Sequence, residues 1–161
     1  MLFQKSLNNT DIVLAETLKN FVPDEVFDIH VHPYRAAHFP KGEWAFLDGI
    51  EQLGCEEHRN ALQRYMTARK IHGLYFGMPR KTADRDAMNA WVVKEVGQKA
   101  TELSRSLMVV SPGDDPAQIA EQLRSGLFCG FKVYHCYASR TDTMNASITE
   151  YAPEWMWEIL H

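Results

Sequence analysis

At 161 residues, with 45% apolar and 24% charged side chains, the chain has the make-up of one soluble globular domain and excludes disorder, a collagen-like repeat and a disulfide scaffold. The same length falls short of the roughly 250 residues of a complete eight-stranded α/β barrel. A net charge of −4 without long runs of like charge argues against nucleic acid as a partner, and no apolar run approaches the ~20 residues that span a bilayer.

The first twenty residues, MLFQKSLNNTDIVLAETLKN, lack the apolar stretch of a signal peptide, so a cytoplasmic location is expected. A helix is expected from Asp11 to Phe21, broken by Pro23 and Asp24. VFDIHVHP then supplies a first strand, Val26 to Val31, stopped by Pro33. A long connection leads to HRNALQRYMTARKIH, whose Leu62, Tyr65, Met66 and Ile71 suit one helical face ending at Gly73. GLYFGMP reads as the second strand, and Asp84 as the N-cap of a helix through Ala87, Trp91, Val92 and Val96. RSLMVVSP reads as the third strand. The turn from Pro112 to Pro116 opens a helix with Ile119, Ala120 and Leu123 that ends near Gly126. GFKVYH is the fourth strand, and TEYAPEWMWEILH starts a last helix in which Trp155 and Trp157 pack. Strands alternating with helices favour parallel βαβ units within a single domain, residues 1–161. The three cysteines, Cys55, Cys129 and Cys136, form no C-x-x-C pair and are expected as buried, reduced thiols.

No Gly-rich phosphate loop follows any strand, which removes the usual signature of a dinucleotide-binding sheet. The first strand carries more chemistry. In D-I-H-V-H, regular alternation puts Asp28, His30 and His32 on one face, with Phe27, Ile29 and Val31 on the face that packs under helices. A row of Asp, His and His inside a sheet is costly unless paired or metal-bound, and imidazoles two residues apart can reach one divalent ion. The plainer alternative is a pair of core or surface histidines. Lys132, inside the apolar fourth strand, is the second unusual residue. Burial favours its neutral amine, which can take up carbon dioxide to form a carbamate. Snorkelling, or an ion pair with Asp28, is the alternative. Asp28 could instead orient a ligand histidine through its other ring nitrogen. Tyr134 shares the Lys132 face and can either hydrogen-bond a substrate or fill the interior. His135 points the other way. The connection holding Arg35, His38, Lys41 and Trp44 is either a substrate cover or a partly helical insertion. His58 and His72 are expected as solvated groups on or at the ends of a helix.

FDIHVHP and GFKVYHCYA together resemble the amidohydrolase superfamily of metal-dependent hydrolases. FDIHVHP is closest to its amidohydrolase-related branch, and GFKVYHCYA to the segment around the carboxylated lysine of dihydropyrimidinase and dihydroorotase types. The resemblance runs from Val26 to His161 and implies a parallel (β/α) barrel of TIM type, present here as about its first four βα units. It implies that His30 and His32 hold a divalent metal, zinc, that carboxylated Lys132 bridges to a second ion and shares in catalysis, and that water is activated to cleave an amide, ester or lactone bond of a small molecule. Dihydroorotase-like members hold a substrate carboxylate with an arginine two residues after the second histidine; here Arg35 stands three residues on, behind Pro33, as the substrate-binding candidate. The family's further ligands, a histidine each from the fifth and sixth strands and an aspartate from the eighth, have no counterpart in this sequence. D-x-H-x-H also opens deoxyribonuclease-like and phosphoesterase-type barrels. Two other readings are a metal-dependent decarboxylase of the same superfamily and a catalytically incomplete metal-binding or assembly fragment. Two open sheet edges lead to the expectation of a homo-oligomer.

Overall fold

A computed structural model describes residues 6–43 and 47–161. Helix α1 (Asn9–Lys19) opens with a reciprocal cap, in which the Asn8 side chain accepts from the Asp11 N–H and the Asp11 carboxylate accepts from the Asn8 N–H. Two donors that a helix start leaves over are thereby satisfied. Strand β1 (Glu25–Val31) follows. A short antiparallel pair, β2 (Tyr34–Arg35) with β3 (Gln52–Leu53), ties the two ends of the long connection together ahead of α2 (Cys55–Gln63). The chain continues through β4 (Lys70–Tyr75), α3 (Arg85–Lys99), β5 (Arg105–Ser106), β6 (Met108–Val109) and α4 (Pro116–Arg124). It ends with β7 (Phe131–Lys132), α5 (Ile148–Tyr151) and α6 (Glu154–Leu160). Asp84 caps α3 as its position suggested, Asp115 of the expected turn caps α4, and Gly126, at φ +75°, follows the end of α4 in a conformation that side chains with a Cβ rarely adopt.

The parallel strands lie side by side in the order of the chain, β1 next to β4, β4 next to β5, and β6 next to β7. β5 and β6 form one path interrupted at Leu107, whose N–H donates to the Tyr75 carbonyl at 2.9 Å. The α/β class with parallel pairing is as expected. The sheet is not closed into a barrel: among the described residues β1 pairs only with β4, and β7 only with β6.

Alternation along β6 shows how the two surfaces of the sheet are used. Met108 and Val110 pack with Ile119, Phe128 and Met156, whereas Val109 packs with Phe76 and Met88. Val31 and Tyr75 meet Cys55 of α2 and Trp91 and Val92 of α3. Val109 also shows how the kinked third strand is held. Its N–H donates to Asn89 Oδ1 at 3.0 Å and its carbonyl accepts from Asn89 Nδ2 at 2.9 Å, so a buried α3 side chain supplies the bonds of a neighbouring strand. Asn89→Leu is therefore expected to cost about 2–4 kcal/mol, because two buried backbone groups lose their partners together. Urea unfolding measures this, and a loss under ~1 kcal/mol would mean that water replaces the amide.

Several sequence expectations give way. The helix expected over 58–72 stops at Gln63, and Ala68, at φ +63°, turns the chain into β4. Ile71 and Tyr75 are thereby buried against the helices while β4 completes the ladder of β1, so tertiary pairing overrides the helical spacing. Gly73 lies within that strand rather than at a helix end. A Cβ there would stand 2.7 Å from the Tyr75 ring, which is the close approach the glycine permits. His72, expected in solvent, is buried with its Nδ1 2.7 Å from the Thr101 hydroxyl. The fourth strand is only two residues long, Cys129 is exposed rather than buried, and Trp157 is exposed, donating to the Ala152 carbonyl, whereas Trp155 packs on the Met156 cluster.

Candidate functional site

The site begins with an irregularity in β1. Asp28 lies opposite Gly73 and Val31 opposite Tyr75, so β1 takes three steps where β4 takes two. One extra residue in a strand reverses the alternation beyond it. Asp28 consequently shares the helix-facing surface with Tyr75 and Val31, and does not line up with His30 and His32 as strict alternation had it. Its Oδ2 is 3.1 Å from His58 Nε2 on α2, and its Oδ1 accepts from the His30 N–H at 3.0 Å. It neither pairs with Lys132 nor orients a ligand ring. Phe27 and Ile29, expected beneath helices, are exposed, Ile29 to 72%.

On the opposite surface, at the carboxyl end of β1, His30 and His32 converge. Their Nε2 atoms are 3.1 Å apart, and both rings set their edges against Phe76 with centroids at 5.0 and 4.8 Å. His32 Nδ1 lies 3.2 Å from the Gly77 carbonyl. A carbonyl only accepts, so Nδ1 carries the proton and Nε2 presents its lone pair toward His30. Burial lowers the His32 pKa most; the Gly77 bond opposes this, and the His30 and Lys132 charges lower it further. Two zinc-bound imidazole nitrogens at about 2.0–2.1 Å in tetrahedral geometry stand ~3.3 Å apart, close to the 3.1 Å separation here. The Gly77 contact is the kind of outer hydrogen bond that fixes a ligating ring.

Lys132, half-buried at the end of β7, joins this group. Its Nζ lies 4.8 Å from the Phe76 ring centroid and 5.3 Å from that of Tyr134, and no carboxylate pairs with it among the described residues. The Tyr134 hydroxyl is 3.2 Å from His32 Nε2, and burial raises its pKa, so it stays a neutral donor. Four of the five residues singled out from the sequence thus meet at one place. Arg35 does not join them by any hydrogen bond or ion pair; it lies exposed on β2. Among the described residues no three of His, Cys, Asp and Glu surround a common point, so the protein donors available are the two imidazoles and Lys132.

The long connection is an insertion that packs. His38, in a single 3₁₀ turn, is buried against Trp91 at 5.5 Å between ring centroids, and its carbonyl accepts from the Asp84 N–H. Trp44 lies outside the described residues, and Lys41 helps line a hollow within the connection itself. Burial, with Arg35 nearby, lowers the His38 pKa, against a smaller opposing pull from Asp84. A histidine whose folded-state value is depressed contributes stability above the unfolded value of about 6.5 that is lost as pH falls through the folded value. Stability to urea should therefore fall from pH 7 to pH 5, with His38→Leu flattening the slope. An unchanged slope in that variant would place the acid sensitivity elsewhere.

Two features escaped the sequence. His58, read as a surface group, is largely buried between Asp28 and Tyr75, which no spacing rule reveals because its partners lie 30 and 17 residues away. A hollow of about 490 Å³ lined by Arg80, Lys81, Arg85, Ser111 and Tyr137 opens beside the site, where Tyr137 packs into the Phe76 cluster. Arg80 and Arg85 already pair there with Glu43 and Asp114.

No family model matches the chain, and no curated protein or solved structure is significantly similar to it.

Proposed function

We propose that the chain is the first part of an amidohydrolase-type barrel, in which His30 and His32 hold zinc or a similar divalent ion and a small-molecule amide, ester or lactone is hydrolysed. The observation that carries this reading is the meeting of the two Nε2 atoms 3.1 Å apart at a strand's carboxyl end, with the His32 ring anchored on the Gly77 carbonyl. Strand order also supports it, since a doubly wound sheet reverses direction partway and these strands do not.

His30 and His32 would hold the divalent ion, which when bound would supply a water of lowered pKa and a Lewis acid for a substrate carbonyl. Phe76 keeps both imidazoles aligned and excludes water beneath them. Lys132, with no carboxylate partner among the described residues, is the residue available for carboxylation: its ammonium would first give up a proton, and the amine would then form an N–C bond to carbon dioxide and release a second proton, giving an anionic oxygen donor. Tyr134 offers an O–H beside the reacting position. Arg35, exposed on β2, makes no hydrogen bond or ion pair with this group. The edges of β1 and β7, which no strand covers among the described residues, favour pairing with a second copy of the chain.

The metal-binding module is the second reading, favoured by the shortage of protein donors around the imidazole pair. One experiment separates the readings. The zinc-loaded chain is incubated with a panel of cyclic amides, esters, lactones and carboxylic acids in ¹⁸O-water with bicarbonate. Label in the product supports hydrolysis, and a product that has lost its carboxyl carbon by mass and carries no label replaces it with decarboxylation. Bound zinc with neither outcome leaves the metal-binding module, and failure to retain zinc defeats all three.

A further inference from the structure

The bulge that separates Asp28 from His30 and His32 is bridged by a chain of polar groups that starts at the half-buried Asp28 and runs inward. Asp28 stands at its start. Val31 stands at its end, opposite Tyr75 of β4. From Asp28 Oδ2 the chain runs 3.1 Å to His58 Nε2, and from His58 Nδ1 it runs 2.9 Å to the Tyr75 hydroxyl. His58 rides on α2, so the helix ties both sides of the irregular step together. Cys55, fully buried, packs against Tyr75, and burial pushes its thiol up to about 12, which keeps it protonated.

The directions of these bonds are consistent. A carboxylate only accepts, so His58 donates from Nε2. Burial lowers the His58 pKa, with Asp28 opposing, and the neutral ring accepts at Nδ1 from the Tyr75 O–H. Asp28 then has its second oxygen free for the His30 N–H, an amide that the bulge withdraws from the ladder. Tyr75 and Cys55 are fully buried and the His58 side chain is 13% exposed, against 34% for Asp28, so solvent does not cheaply replace the bond between His58 and Tyr75.

We infer that Asp28, His58 and Tyr75 form a staple across the β1 bulge that sets the convergence of His30 and His32, making His58 and Tyr75 positioning residues for metal capture although neither touches the ion. The inference rests on the metal-binding reading of the His30–His32 pair. Without the staple, the bulge is free to migrate or close by one residue, and each such slip turns a histidine to the other surface.

Tyr75→Phe tests this most directly, because it removes one oxygen and keeps the ring. His58→Gln is the companion variant, with Ile119→Val in the α4 cluster as a comparison for lost core packing. Two measurements are made on the intact chain: exchange of the His30 amide in metal-free protein, and Co(II) binding followed by its visible absorption. Both staple variants should lose His30 amide protection at least ~10-fold and bind Co(II) about 10–100-fold more weakly with an altered band, the loss typical of outer-shell partners, while Ile119→Val does neither. Wild-type exchange and wild-type Co(II) spectra in both staple variants would overturn the inference and leave the metal site standing. Equal effects in Ile119→Val would overturn it as well, by reducing the result to general stability. If the wild-type chain binds no Co(II), the metal reading falls, and the positioning role falls with it even where the amide effect is seen.

Discussion

Replacing His30 and His32 together by alanine is expected to abolish zinc retention. The chain purified with zinc and passed through a desalting column should carry about one ion or more, and the double variant essentially none. Loss of both imidazoles removes every histidine donor at the site, so the affinity should fall by more than the ~10–100-fold associated with outer-shell partners. The fold should survive. His30 is exposed, the Nε2–Nε2 contact joins residues only two apart, and the longer-range bonds removed are the His32 contacts to the Gly77 carbonyl and the Tyr134 hydroxyl. Circular dichroism of the variant should match the parent, which separates loss of metal from loss of structure. Equal zinc in parent and variant would show that any bound metal sits elsewhere, and would remove the basis for a hydrolase.

Phe76→Ala should have the largest effect on stability of any substitution at the site, about 3–5 kcal/mol, in the range for a buried aromatic cut to alanine. Phe76 is 1% exposed and packs with Met88 and Val109. The effect on the site should be disproportionate. One ring supports the edges of both imidazoles and lies beneath the Lys132 ammonium, so its removal frees all three side chains at once. Zinc affinity should fall with stability, while Phe76→Leu, which retains most of the volume, should recover most of the stability and less of the affinity because the quadrupole is gone. A loss below ~1 kcal/mol on unfolding Phe76→Ala would contradict the packing described.

Alternation of hydrophobic strands with capped helices was legible because its signals are local. Asp84, Asp115 and Gly126 act on neighbours within a few residues, and their helices start and stop close to where the sequence places them. The second strand was misjudged because Leu62, Tyr65, Met66 and Ile71 satisfy a helical period whose last member belongs to β4. Nothing near Ile71 announces that β1 requires a partner there. The candidate site was legible to a similar extent. His30, His32, Lys132 and Tyr134 do meet, since each lies at or just beyond the carboxyl end of a parallel strand. Asp28 was placed on the wrong surface by an assumption of unbroken alternation.

By itself, then, the sequence determined the α/β class, the Asp84 cap and the chemistry available at His30, His32 and Lys132, because these depend on residue type and short spacing. The tertiary structure alone decided that β1 carries an extra residue, that Asp28 faces His58, and that Phe76 lies beneath the histidine pair. Those outcomes follow from register between β1 and β4 and from contacts across 17 to 102 residues, where burial of side chains against one another outweighs any local preference.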